Sequence, residues 1–146
     1  MYDLEQLIEM WMKDSVVDET ELGREATKIS KLHATYLKIL SLNSVRVKKV
    51  ENDYKKMRAL RTRYYDGKMS EEELTENGWE QYLHSHRLNS QKENLLEGDP
   101  ILVEILAKKV YHEEIVNFCT AVLKELNSRT WQIKTAVDWT RFTSGN

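Results

Sequence analysis

Between residues 22 and 64 apolar side chains recur at alternating intervals of four and three: Leu22, Ala26, Ile29, Tyr36, Leu40, Val47, Val50, Tyr54, Met57 and Tyr64. His33, Asn43 and Arg61 stand on the same seam. A 3.5-residue repeat sustained over about six heptads predicts one long helix with a coiled-coil-like stripe. No proline interrupts residues 20–66, and Gly67 after Asp66 offers a left-handed stop. Polar seam residues lower stability but can fix register or oligomeric state. The seam can pack within its own chain or against a copy, and both stay open at this point.

The flanking pattern is also helical. Leu4, Leu7, Ile8 and Trp11 predict a short amphipathic helix over 3–13, followed by a VVDET link in which Asp18 or Thr20 can cap the long helix. Ser70 and Glu73 have capping-box spacing, so a third helix is expected from Ser70 through EEELTENGWEQYLHS, weakened at Gly78. RLNSQKENLLEGD reads as a loop or a short helix. Asp99 before Pro100 is an N-cap and N1 pair, and helical pattern then runs to about Phe142. Along this last helix lie two apolar stripes, Leu123, Leu126, Ile133 and Val137, and Trp131, Thr135, Trp139 and Phe142. Together they are wider than one surface helix needs, which points to a second subunit. The expectation is one all-α domain without an independent linker, forming a protomer that assembles into a homo-oligomeric ring. Residues 1–98 would be its N-terminal and central region with the basic helix, and residues 99–146 its assembly region.

Composition narrows the classes. Five glycines and one proline in 146 residues disfavour a many-stranded β-fold. No apolar run approaches the roughly 20 residues that span a bilayer, and the acidic start MYDLEQLIEMWMKD does not read as a signal peptide. The single cysteine, Cys119, excludes an internal disulfide and fits a reducing, intracellular compartment.

Charge changes the picture most. Residues 46–63 hold eight basic side chains against Glu51 and Asp53, a net +6, whereas the whole chain is −2 and the remainder therefore −8. With the seam at heptad positions a and d, Lys48 and Lys55 fall at b, and Lys49, Lys56 and Arg63 at c. Arg46, Arg58 and Arg61 lie on or beside the seam. A cationic ribbon along one helix can follow a phosphate backbone and gain from counterion release without reading sequence. Tyr54, Tyr64 and Tyr65 next to it offer faces for unpaired bases, so single strands are favoured over duplex. The competing readings are a solvated face that pairs with acids of a neighbour, an adaptor helix that docks an acidic protein, and an acidic membrane surface. The last would want free bulky apolar groups opposite the cations, and that side of the helix is the seam.

Enzymatic signatures are absent. There is no Gly-rich phosphate loop, YHEEIV around His112 is not HExxH, and His84 and His86, two apart, point different ways on a helix. Cys119, between Phe118 and Val122, reads as a buried small hydrophobe. Glu71, Glu72 and Glu73 read as first-turn partners of a helix dipole. No catalytic residue, metal site or cofactor is expected.

Two segments carry a family resemblance. ALRTRYYDGK, with basic residues, paired tyrosines and a Gly/basic turn, resembles the middle of the UvsY family, recombination mediators of T4-type phages. NFCTAVLKELNSRTWQIKTAVDWTRFTSGN is the closer match, with Phe118–Cys119, Ser128–Arg129, Ile133–Lys134 and the ending at Arg141 and Phe142. The resemblance implies a helical ring of six or seven subunits, single-stranded DNA binding in the cytoplasm of an infected bacterium, and two protein partners. These are a UvsX-like phage recombinase and the phage single-strand binding protein that it replaces. The family has basic residues two apart before its tyrosine pair. Arg61 occupies the second position. Ala59 occupies the first, with Arg58 one residue earlier and about 100° away around the helix. The DNA-binding set expected from both arguments is Lys48, Lys49, Lys55, Lys56, Arg58, Arg61, Arg63, Tyr64, Tyr65 and Lys68. The assembly set is Phe118, Val122, Leu126, Trp131, Ile133, Val137, Trp139 and Phe142.

Overall fold

Asp3 opens the first helix by accepting a hydrogen bond from the Gln6 N–H at 2.8 Å, and the Asp3 N–H donates in return to the Gln6 side-chain oxygen Oε1 at 3.0 Å. This reciprocal box satisfies two donors that a helix start otherwise leaves bare. A computed structural model describes residues 1–84 and 89–145. Its helices are α1 (Leu4–Asp14), α2 (Leu22–Tyr65), α3 (Glu71–Asn77), α4 (Asn89–Glu97) and α5 (Pro100–Ser144), with no strand among the described residues. None of these helices is long and apolar enough to cross a membrane. The chain divides into two units, residues 1–45 with 112–146, and residues 46–111.

The first unit packs α1, the first part of α2 and the last part of α5 around Leu7, Tyr36, Ile115, Cys119, Val122 and Leu126. Trp11 meets Tyr36 edge-on at 5.6 Å, and the Tyr36 hydroxyl donates to Asp14 at 3.0 Å. Arg129, buried to 3% exposure, closes the end of α1. Its guanidinium donates to the carbonyls of Asp14 at 3.2 Å and Ser15 at 3.0 Å and lies 5.4 Å from the Trp11 ring. A cation there meets both the unpaired carbonyls and the negative end of the α1 dipole. Asn43 lies on the seam without breaking the helix, because its amide donates to the Ile39 carbonyl at 2.9 Å while its oxygen lies 3.2 Å from His112 Nδ1. Cys119 is fully buried, and burial pushes its thiol up to about 11. Its reaction with a thiol reagent at neutral pH should therefore follow unfolding of this unit, with a rate that rises steeply in denaturant.

The second unit gathers Tyr65, Leu96 and Leu102 with Tyr54, Met57, Tyr64, Tyr82 and Leu95. Three sequence expectations change here and at the entry to α2. Neither Asp18 nor Thr20 caps α2. Asp18 instead accepts from the Thr20 N–H and hydroxyl in a local turn, and the first helical bond runs from the Glu25 N–H to the Glu21 carbonyl. Helix α3 does not continue through GWEQYLH, and Ser85 lies outside the described residues. Gly78 adopts φ 69°, the Trp79 N–H closes back on the Leu74 carbonyl at 2.9 Å, and residues 79–84 are irregular. A left-handed glycine there ends a helix outright. The Ser70–Glu73 box is half made, because Ser70 accepts from the Glu73 N–H while the Glu73 carboxylate turns to Arg63. Gly67 stops α2 as expected, at φ 70°.

Candidate nucleic-acid interface

The basic stretch 46–63 lies wholly in the second unit, on the C-terminal part of α2. Its cations fall into two groups once tertiary contacts are counted. Lys49, Lys55 and Lys56 are exposed, as is Lys68 just beyond the helix, and none of the four has an acid within ion-pair distance among the described residues. Lys48 is 79% exposed and pairs with Glu51 at 3.1 Å along its own helix, and this contact holds the Glu51 carboxyl below the usual range. Such an exposed i,i+3 pair is weak, because solvent screens it, and it leaves the ammonium available. Lys48, Lys49, Lys55 and Lys56 sit on adjoining rows, so the accessible charge forms a band about 10–12 Å long at 1.5 Å per residue.

The arginines are engaged. Arg58 donates to Glu93 of α4 at 2.8 Å, and Arg63 donates to both carboxylate oxygens of Glu73 of α3 at 2.8 and 2.9 Å. Both pairs are open to solvent. Arg61 differs in kind. It is 8% exposed, and its Nε donates at 2.7 Å to Asp99 Oδ2, whose side chain is wholly buried. The Tyr65 hydroxyl donates to the same oxygen at 2.6 Å. The other oxygen, Oδ1, accepts the Ile101 and Leu102 N–H groups and caps α5. Burial alone would raise the Asp99 carboxyl; the bonds from Tyr65, Arg61 and Leu102 outweigh it and hold the group below its ordinary value. The Arg61 guanidinium also lies over the rings of Tyr64 at 4.2 Å and Trp79 at 4.5 Å, which meet each other edge-on.

The paired tyrosines divide likewise. Tyr65 is in the core, and burial, with the Asp99 carboxylate, raises its hydroxyl. Tyr64 is half-buried, with ring contacts to Tyr65, Trp79 and Tyr82 at 5.4–5.6 Å. Trp79, Asp99, Glu73 and Glu93 are the neighbours that sequence reasoning did not attach to this segment. A cation on a largely apolar seam was the available signal for Asp99, since such a charge needs a buried acid. His84 is exposed, with its ring against Tyr82 at 5.5 Å, and His86 lies outside the described residues.

In the first unit the assembly candidates separate by direction. Phe118, Val122, Leu126, Ile133 and Val137 point into the unit or lie half-buried, whereas Trp131, Trp139 and Phe142 are 65–76% exposed. The two stripes of α5 are thus an inward and an outward one.

A family model described as recombination, repair and ssDNA binding protein UvsY matches residues 10–146. The chain belongs to the UvsY family. It is 25% identical over 142 residues to the recombination protein uvsY of Enterobacteria phage T4, covering 97% of this chain and 98% of that one. Its fold is similar to crystal structures of the bacteriophage T4 recombination mediator protein UvsY. One, in lattice type II, has a TM-score of 0.85 at 24% identity and 99% coverage of both chains. Another, in lattice type IV, has a TM-score of 0.81 at 23% identity, covering 97% of this chain and 99% of that one. The exposed lysines of α2 therefore belong to a member of a recombination, repair and single-stranded-DNA binding family.

Proposed function

We propose that this UvsY-family member is a recombination mediator that holds single-stranded DNA without sequence preference on the lysine band of α2. It acts in the cytoplasm of an infected bacterium and delivers the strand to a UvsX-like recombinase that replaces a phage single-strand binding protein. One observation carries the reading: Lys49, Lys55, Lys56 and Lys68 are solvent-exposed cations without an internal partner among the described residues, in a chain of a single-stranded-DNA binding family. Cations already matched by their own acids release fewer counterions on meeting phosphate, whereas free ones contribute fully. Assembly into a ring of six or seven subunits would repeat the band, and linked weak sites hold a continuous strand far more tightly than one.

The test is a titration of labelled single-stranded oligonucleotide at several salt concentrations. Replacing Lys49, Lys55 and Lys56 together by glutamine should weaken binding at least tenfold at low salt and flatten the slope of log K against log salt by about 2, at roughly 0.7 per lost phosphate contact. An unchanged slope would overturn the assignment of the band. Retained binding of an acidic protein with little oligonucleotide affinity would favour the adaptor reading.

A further inference from the structure

Two cations of the basic stretch are held, in the open, by carboxylates from other helices. Arg63 stands on the same row of α2 as Lys49 and Lys56, spaced by sevens, and so ends that line of charge. Glu73 reaches it from the first turn of α3, and both of its oxygens accept from Nη2. Arg58 lies around the helix and meets Glu93 of α4 at 2.8 Å. The side chains of these four residues are 35–53% exposed, against 9% and 0% for Arg61 and Asp99. This contrast matters chemically. A guanidinium presents the same N–H fork to a carboxylate and to a phosphate. In an exposed pair water screens the attraction, and a phosphate can approach and exchange for the carboxylate. In the buried pair it cannot.

We infer that Glu73 and Glu93 are affinity-setting residues of the single-strand face: internal counter-ions that occupy Arg63 and Arg58 and must be displaced before these arginines meet phosphate. The inference rests on the proposed single-strand binding by this face. Each displaced carboxylate stays tethered next to the incoming phosphates and repels them. The face therefore holds a strand less tightly than its count of basic residues implies. Moderate affinity suits a protein that must give its strand up.

Glutamine at either position keeps the shape and an acceptor oxygen while removing the charge, and the Ser70 bond that starts α3 uses the backbone N–H of residue 73 and survives. E73Q/E93Q should bind single-stranded oligonucleotide about tenfold more tightly at low salt, and its log K against log salt should steepen by roughly 1.4, about 0.7 for each arginine released. Net charge alone also favours binding, so the control is E71Q/E72Q. These neighbours on α3 carry the same charge and pair with no cation among the described residues. The control should change neither affinity nor slope by more than a small fraction of that. Equal effects from the two double variants, or weaker binding by E73Q/E93Q with an unaltered melting curve, would overturn the inference. Should E73Q/E93Q melt early, the single variant E93Q, whose pair has the more exposed carboxylate, gives the same comparison at half the size. The lysine triple variant separates the levels. If it binds normally, the face itself is misassigned. If it binds weakly while E73Q/E93Q matches the control, only the counter-ion role fails.

Discussion

Asparagine in place of Asp99 should destabilise the second unit by about 3–5 kcal/mol, the loss expected when one partner of a buried ion pair is removed and the other stays. The two carboxylate oxygens divide their work. Oδ1 takes the Ile101 and Leu102 N–H groups and caps α5, and asparagine can still do this. Oδ2 takes Arg61 and Tyr65, and there an amide NH2 would face a guanidinium and a hydroxyl that already donate. D99N therefore isolates the charge from the cap. Urea denaturation followed at Trp79, the tryptophan of this unit, reads the change. The pair R61M/D99N should recover part of the loss, because no unmatched charge then remains inside. Acid acts in the same direction. Asp99 is held below its ordinary value in the fold, so its contribution is present above the unfolded carboxyl range near pH 4 and is lost as pH falls through the folded value. In D99N that share of the acid sensitivity should vanish. A D99N protein that melted normally and bound single strands more tightly would show Arg61 to be a strand contact held in check, not a structural charge.

This hub shows where reading the sequence stops. The seam of α2 was legible to within one position: of its thirteen residues only Ala26 is exposed, because burial of a helix face imposes its own period. The Asp99–Pro100 helix start and the Gly67 stop were legible too, since caps depend on residues within one turn. The partner of Arg61 lies 38 residues away, and no local rule carries that distance. The same limit applies to Glu73 and Glu93, which look like ordinary helix-surface acids until α3 and α4 are placed. Gly78 was visible, but whether a glycine weakens a helix or ends it depends on whether the chain takes φ near +70° there. On α5 the two stripes were legible, and their directions were not, because a single helix does not say which of its apolar faces its own fold will use.

The outward stripe carries the second large effect. For the proposed ring, replacing Trp131, Trp139 and Phe142 together by glutamine should give smaller species in sedimentation and lower affinity for a long single strand by about 10²–10⁴-fold, the range over which linked weak sites gain from being joined. The direction follows from burial. These rings are 69, 65 and 76% exposed in the isolated chain, and none belongs to the core around Leu126 and Cys119. Glutamine is a good helix former, so α5 should persist and the first unit should keep its melting temperature. Truncating Leu126 instead would open a cavity in that core, at about 2–5 kcal/mol, and confuse folding with assembly. Trp139 and Phe142 already meet, tilted by 30°, with ring centroids 5.8 Å apart, forming a ready apolar ledge one helical turn deep. Two controls make the result decisive. An oligonucleotide short enough to touch one subunit should bind the triple variant and the parent equally, because each lysine band is intact and only the linkage is gone. Parent-sized particles from the variant would move the interface to other exposed apolar side chains, Val103, Leu106 and Val110 of α5 being the next row with helical spacing. Loss of short-oligonucleotide binding together with assembly would mean that the single-strand face is itself completed by a neighbouring copy, and the lysine band of one chain would no longer suffice as the binding unit.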